Sequence, residues 1–269
     1  NTTSMLAQNN LSKSSSSLSD NLSRLSSGLR VRSAADDAAG LAISEDFKAK
    51  IRGLNQAKRN ANDGVSLAQT ADGAFKEIGS MLGRMRELAV QSATGTVNST
   101  QRGYLQDEFA QLRSEIDRLS ATTEFNGINL LDGSSSANPL DFQVGSGHST
   151  NDRLTLTIAT TDSTALSILD NGVTTAATAL SAISALDAAI SAISSRRGTI
   201  GAMQNRLSVT VSNLSTYATN LSAANSRVVD VDIASETAQL TKNQILTQAG
   251  ASMLAQANQA PQIALSLIG

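Results

Sequence analysis

Cysteine is absent from this chain of 269 residues, and aromatic side chains are scarce, at 3% of the total with no tryptophan. The missing thiols exclude disulfides, thiolate zinc sites and cysteine nucleophiles. Aromatic rings usually fill much of a thick globular core, because each ring buries a large apolar area. A core built from Leu, Ile, Val, Met and Ala instead favours thin, closely packed helices.

Proline is also rare. It occurs at Pro139 and Pro261, so residues 1–138 and 140–260 contain no ring that would forbid a helix. Apolar residues recur through these stretches at helical spacing, beginning with Leu18, Leu22, Leu25 and Leu29. Further series are Leu67, Ala71, Ala74, Ile78, Met81, Met85 and Leu88; Leu105, Phe109, Leu112, Ile116 and Leu119; Ile183, Leu186, Ile190 and Ile193; and Ile200, Met203, Leu207, Val211, Leu214, Tyr217 and Leu221. The pattern predicts a mainly α fold, a rod of long helices in coiled coils or a bundle.

Charge of one sign is not in excess: 21 basic and 23 acidic residues leave a net charge of -2. Nucleic-acid binders neutralise phosphates with Lys and Arg, so this balance argues against a nucleic-acid partner. The start, Asn1 to Ser4, lacks the basic and apolar runs of a secretory signal. The uncharged tail 243–269 contains too many Gln and Asn residues to cross a bilayer, so we expect no membrane insertion.

The middle of the chain, residues 124–175, has a different pattern. Gly, Asn, Ser and Asp punctuate short apolar runs there, and residues 154–158 alternate with period two, as in a half-buried strand. We therefore expect a small β-hairpin region, placed on the outer surface. Since the chain leaves and returns as helix, its two termini are predicted to lie at the same end.

Both ends of the chain are uncharged, since the first charged residue is Lys13 and the last is Lys242. Short isolated helices are marginal in water and gain stability from packing. The ends are therefore predicted to pair with each other and with neighbouring copies; frayed tails are the alternative. The aliphatic residues expected to make these assembly contacts are Leu6, Leu11, Ile245, Leu246, Met253, Leu254, Ile263, Leu265 and Leu267.

Signs of catalytic chemistry are weak. His148, the single histidine, lies in a Gly/Ser-rich loop sequence with no nucleophile-elbow motif nearby. Gly-rich phosphate loops are missing. Asp36 and Asp37 are adjacent, so on a helix they would not face each other, and we expect them to be solvated or in contact with Arg30 and Arg32. The sequence predicts no enzyme, no cofactor and no metal site.

Several sequence blocks closely resemble those of bacterial flagellins, in the same order. They are Leu25–Arg30 (LSSGLR), Ser33–Gly40 (SAADDAAG), Asn60–Gly64 (NANDG), Arg86–Gln91 (RELAVQ), Glu124–Gly127 (EFNG) and Ala249–Gln259 (AGASMLAQANQ). The resemblance covers about residues 1–130 and 180–269. It is to a short flagellin without large outer domains.

This resemblance implies a structural subunit that self-assembles into the extracellular flagellar filament for motility, after export by the flagellar type III apparatus. It implies that residues 1–38 and 229–269 form an inner coiled coil, and that residues 39–123 and 176–228 form the helices of a bundle domain. The implied partners are other copies of the chain, the filament cap, hook-junction proteins and an export chaperone. A hook-to-filament junction protein and a type III translocator or coiled-coil adhesin are the alternatives.

The resemblance also implies recognition by the host innate-immune Toll-like receptor for flagellin. The residues that match the family's recognition surface are Arg84, Leu88, Gln91 and Glu108. Leu88 also belongs to a helical apolar series, so a role in the core is a second interpretation for it. For Arg84 and Glu108 the other interpretations are solvated charges and contacts between subunits.

Overall fold

The computed structural model describes residues 2–268, and the side chains of residues 2–259. Long helices dominate it, which confirms the predicted mainly α fold. Its elements are α1 (Thr2–Ser27), α2 (Ala38–Ala93), α3 (Ser99–Thr122), β1 (Glu124–Phe125), β2 (Ile128–Asn129), α4 (Ser134–Ala137), β3 (Leu140–Gln143), β4 (Arg153–Leu156), α5 (Ala176–Val229) and α6 (Ile233–Ile268).

Local sequence signals set several element boundaries. Gly28 follows α1 with a φ of 72°, a left-handed conformation that ends a helix and favours glycine. Asn98 opens α3 through a capping box, in which its side chain accepts a hydrogen bond from the Gln101 backbone and the Gln101 side chain accepts one in return. Asn126 and Gly127, with φ values of 52° and 75°, form the tight turn between β1 and β2.

The described chain divides into two compact units. The terminal unit comprises Asn1–Ile51 and Thr219–Gly269, and the central unit comprises Arg52–Ala218. The divisions fall inside α2 and α5, whereas the domain boundaries inferred from sequence, 38/39 and 228/229, fall at the start of α2 and the end of α5.

The central unit contains the main apolar core. Phe75 and Phe109, from α2 and α3, are fully buried there, whereas Tyr104 and Tyr217 are exposed. Alanines at close helix contacts fill much of the remaining space. Other members of this core are Ile78, Leu82, Met85, Leu88, Ile116, Leu130, Leu131, Leu156, Ile158, Leu186, Ile193 and Leu207.

Two small antiparallel hairpins lie between α3 and α5. β1 pairs with β2, with Glu124 opposite Asn129, and β3 pairs with β4, with Leu140 opposite Leu156. The predicted hairpin region is therefore confirmed, with the difference that it contains two short hairpins. Asn60 of α2 donates a hydrogen bond to the Gln143 carbonyl at 3.0 Å, which ties β3 to the helices.

Helix α5 is long and apolar enough, by length and composition alone, to cross a membrane. Several of its apolar residues pack in the central core, where Ala182, Leu186, Ala189 and Ile193 are buried. A core helix passes the same test of length and composition.

In the terminal unit, α1 and α6 pair as an antiparallel coiled coil. Ser4 donates a hydrogen bond to Asn258 at 2.6 Å, and Asn243 donates one to Asn21 at 2.8 Å, so the two helices run in opposite directions. The partly or fully buried residues recur at alternating steps of three and four, the spacing of a coiled-coil seam. The seam consists of Ser4, Ala7, Leu11, Ser14, Leu18, Asn21 and Leu25 on α1, and of Glu236, Leu240, Asn243, Thr247, Gly250, Leu254 and Ala257 on α6. We call these residues the α1–α6 seam.

Two residues of the sequence-derived apolar series are exposed, Tyr217 of α5 at 49% and Leu22 of α1. Apolar spacing predicts that Leu22 faces inward, but it is 51% exposed, whereas its neighbour Asn21 is 5% exposed. The exchange has a physical cause, because Asn21 hydrogen bonds to Glu236 and Asn243 across the seam. A polar network therefore takes the position that an apolar pattern would assign to leucine.

Candidate functional site

An apolar groove runs along one side of the α1–α6 coiled coil. It has a volume of about 360 Å³ and is lined by Ala7, Asn10, Leu11, Ser14, Leu246, Ala249, Gly250 and Met253. We call it the coiled-coil groove. Every lining residue is uncharged, and Met253 leaves 62% of its surface exposed. Exposed apolar surface of this kind marks a site of protein interaction.

The residues predicted to drive assembly fall into two described groups. Leu6, Ile245, Leu246 and Met253 are exposed, at 62%, 60%, 44% and 62% respectively. Leu11 and Leu254 are instead half-buried in the α1–α6 seam, where they pack α1 and α6 of one subunit together. Ile263, Leu265 and Leu267 lie outside the residues whose side chains the structure describes.

The segments that link the coiled coil to α2 and α5 are joined by backbone hydrogen bonds. Leu29 and Asp230 form an antiparallel bridge, and the Arg30 amide donates to the Val229 carbonyl at 2.7 Å. The Arg30 guanidinium donates to the Val228 carbonyl, also at 2.7 Å, and so satisfies an acceptor at the end of α5. These bonds hold the two linkers side by side in antiparallel directions.

Asp36 organises the linker between α1 and α2. Its carboxylate accepts hydrogen bonds from the Arg32 amide and from the amide and hydroxyl of Ser33, and these bonds hold its pKa below the usual value. It also lies 4.0 Å from the guanidinium groups of Arg24 and Arg32. The predicted contact with Arg32 is present, but the second described guanidinium beside Asp36 comes from Arg24 of α1.

A polar surface on the central unit contains three of the four residues matched to receptor recognition. Arg84 of α2 contacts Glu108 of α3 at 2.8 Å and Glu87, one turn along α2, at 3.0 Å. Hydrogen bonding to Glu108, and then to Glu87, raises the pKa of the Arg84 guanidinium. Gln91 is exposed on the same helix, one turn beyond Glu87. Together, Arg84, Glu87, Gln91 and Glu108 form what we call the α2–α3 polar surface.

Leu88 does not belong to this surface. Its side chain is fully buried, at 0% exposed, among the apolar residues of the central core. This burial supports the second interpretation of Leu88, a role in the core, which its position in the apolar helical series indicates; its contact with a receptor stays a prediction. Sequence reasoning also missed Glu87, although the spacing of three residues from Arg84 is a helical ion-pair signal.

Two other ion pairs connect α2 to α5. Arg86 contacts Asp187 at 2.6 Å, and Asp72 contacts Arg197 at 2.8 Å. In each pair, the hydrogen bond to the aspartate raises the pKa of the arginine. Sequence alone gives no signal for them, because their partners are more than a hundred residues apart. Since all four side chains are substantially exposed, each pair contributes little to stability.

The structure places His148 on an exposed bend between β3 and β4. Among the residues it describes, no group of three His, Asp or Glu side chains could share a metal ion. The features that stand out for function are therefore two surfaces, the coiled-coil groove and the α2–α3 polar surface.

Comparison with known proteins gives matches along most of the chain. Residues 1–136 match the bacterial flagellin N-terminal helical region, and residues 183–268 match the bacterial flagellin C-terminal helical region. A flagellin of Halalkalibacterium halodurans is 45% identical over 247 residues, which cover 92% of this chain and 90% of that protein. The flagellar filament 33 kDa core protein of Treponema phagedenis is 42% identical over 280 residues, covering 100% of this chain and 98% of that protein. The crystal structure of Bacillus cereus flagellin superposes with a TM-score of 0.52 at 36% identity, covering 62% of this chain and 94% of that one.

Proposed function

This chain belongs to the bacterial flagellin family, and from that premise we propose that the coiled-coil groove is the surface through which its copies assemble. The protein is a structural subunit of the bacterial flagellar filament and not an enzyme. The junction-protein and translocator alternatives are set aside, because relatives that match almost the whole chain are flagellins and filament core proteins. The occupant of the groove is a second copy of this chain.

The observation that carries this proposal is the exposure of apolar side chains on a segment without charge. Leu246 and Met253 line the groove and are 44% and 62% exposed in the single subunit. Full burial of such a side chain against a neighbouring copy is worth about 1.5 to 3 kcal/mol. When the groove of one subunit binds a different surface of the next subunit and the contacts do not close into a ring, the result is an open helical polymer.

Purified full-length protein tests this proposal directly. Salt-induced assembly, observed by negative-stain electron microscopy, should give long helical filaments. Amorphous aggregates, or a species that stays monomeric at every salt concentration, would contradict the proposal.

The remaining partners follow from the family. We propose export through the flagellar type III apparatus with a chaperone, and addition to the filament beneath a cap, beyond the hook-junction proteins. The hairpin segment 124–175 is proposed to face outward, which suits a segment of short strands and exposed loops.

We also propose that the α2–α3 polar surface is recognised by the Toll-like receptor for flagellin. Arg84 supports this role, because it links α2 to α3 through Glu108 while half of its side chain stays exposed. An exposed arginine held in place by a carboxylate is ready for binding, since less side-chain freedom is lost on contact. Arginine is also enriched among the residues that dominate interface energies.

Replacement of Arg84 by Ala is expected to weaken receptor activation by about tenfold, the equivalent of about 1.4 kcal/mol of binding free energy. A reporter-cell assay with purified subunit measures this. Arg86→Ala is the matched control, because Arg86 lies on the same helix and also forms an exposed ion pair, but with Asp187 of α5. Equal losses in both variants would contradict the specific role of Arg84.

A further inference from the structure

The α1–α6 seam contains a buried polar network. Asn243 donates a hydrogen bond to Asn21 at 2.8 Å, and Asn21 donates one to the Glu236 carboxylate at 2.5 Å. Asn21 and Glu236 are only 5% and 6% exposed. We call Asn21, Glu236 and Asn243 the seam triad.

The rest of the seam discriminates poorly between alternative registers. Most of its other positions are small or polar, such as Ala7, Ser14, Thr247 and Gly250. In a coiled coil the apolar residues repeat every seven positions, so a slip of one heptad would again bring seam residues opposite seam residues. Small side chains would oppose such a slip only weakly, because they interlock little.

The seam triad behaves differently under the same slip. Glu236 and Asn243 lie one heptad apart on α6, and Asn21 of α1 bonds to both. A slip of one heptad would bring Ser14, in one direction, or Gly28, in the other, to the place of Asn21 between Glu236 and Asn243. Gly28 has no side chain, and the Ser14 hydroxyl lies one bond nearer its backbone than an asparagine amide and offers one donor instead of two. A buried carboxylate that loses its donor is strongly disfavoured.

We infer that the seam triad fixes the register of α1 against α6. Its three members are positioning residues: they contact each other within one subunit and need not touch a neighbouring copy. This inference on register is independent of the assembly proposal. Its consequence for the filament rests on that proposal, because both helices line the coiled-coil groove and a slip would separate Leu11 from Gly250.

The chain itself offers a clean way to measure register, because it contains no cysteine. A Cβ atom built on Gly250 would lie 3.7 Å from the Leu11 Cβ, close to the mean Cβ separation of a disulfide, about 3.8 Å. The pair Leu11→Cys with Gly250→Cys therefore reports the native register. Two further pairs report slips of one heptad, one for each direction: Ser4→Cys with Gly250→Cys, and Leu11→Cys with Ala257→Cys. In the native register the two cysteines of either pair are about 10 Å apart along the helix axis, so they can form a disulfide only after a slip.

The test compares two backgrounds in the full-length protein, oxidised both as dilute soluble subunits and as filaments. With the seam triad intact, only the Leu11 and Gly250 pair should form an intramolecular disulfide, identified by gel mobility and peptide mapping. With Asn21→Leu, Glu236→Leu and Asn243→Leu combined, the slipped pairs should form as well, while circular dichroism shows that the helices persist. The control is Ser14→Leu with Thr247→Leu, which makes the seam more apolar but keeps the triad, and it should retain the native pair alone.

Three results would overturn the inference. The first is a triple variant that gives only the native disulfide. The second is a control that slips as readily as the triple variant, since apolar content and not the triad would then decide register. The third is a failure of the native pair to form in both subunits and filaments with the triad intact. A register that changes while filaments still form would leave this inference standing and count against the assembly proposal alone.

Discussion

A subunit carrying Leu246→Asp is expected to fold normally and to form no filaments. Leu246 lines the coiled-coil groove and is 44% exposed, so in the free subunit the new carboxylate is solvated. In a filament, the same carboxylate would be buried against a neighbouring copy without a partner. An uncompensated buried charge costs about 3 to 5 kcal/mol, which raises the concentration needed for assembly by a hundredfold or more.

Sedimentation and electron microscopy measure the filament yield, and circular dichroism with thermal melting measures the fold. Gln248→Asp is the matched control. It introduces the same charge two residues along α6, about 200° around the helix from Leu246, at an exposed polar position. Filaments from Leu246→Asp, or the loss of filaments in both variants, would contradict assembly through the coiled-coil groove.

Helical periodicity predicts much of this fold, because apolar spacing reports directly on which helix face is buried. The series that contains Ile78, Met85 and Leu88 is buried in the central unit as its spacing indicates. The alternation at residues 154–158 likewise identifies β4. Both signals are local, so they can be read without knowledge of the partner element.

The exposure of Leu22 could not be predicted, because the contacts that decide it are distant in sequence. Leu22 has the apolar character expected of a seam residue, yet Asn21 takes that position because Glu236 and Asn243 satisfy its amide from more than two hundred residues away. The same limit applies to the uncharged ends. Composition indicates that Leu254 and Leu246 both favour burial, but only the pairing of α1 with α6 distinguishes Leu254, in the seam, from Leu246, in the groove.

The receptor-matched residues illustrate a different limit. Motif matching aligns Arg84, Leu88 and Glu108 with a recognition surface, but it does not report exposure. Position 88 follows position 84 by one helical turn, so the two residues lie on neighbouring parts of α2. Packing of α3 and α5 against α2 then decides that Leu88 is buried while Arg84 remains exposed.

The second large effect follows from that burial. Leu88→Ala is expected to lower the free energy of unfolding by about 2 to 5 kcal/mol, because it removes three carbon atoms from a fully buried site and leaves a cavity. Urea unfolding followed by circular dichroism measures this loss. It is a large share of the total for a domain, which is about 5 to 15 kcal/mol.

Val90→Ala provides the comparison on the same helix. Val90 is 49% exposed, so its truncation should change the free energy of unfolding by no more than about 0.5 kcal/mol. Any loss of receptor activation in Leu88→Ala should then follow the unfolded fraction and disappear when the assay is run well below the melting temperature. A Leu88→Ala subunit that unfolds like the parent protein yet fails to activate the receptor would restore Leu88 as a contact residue and contradict its assignment to the core.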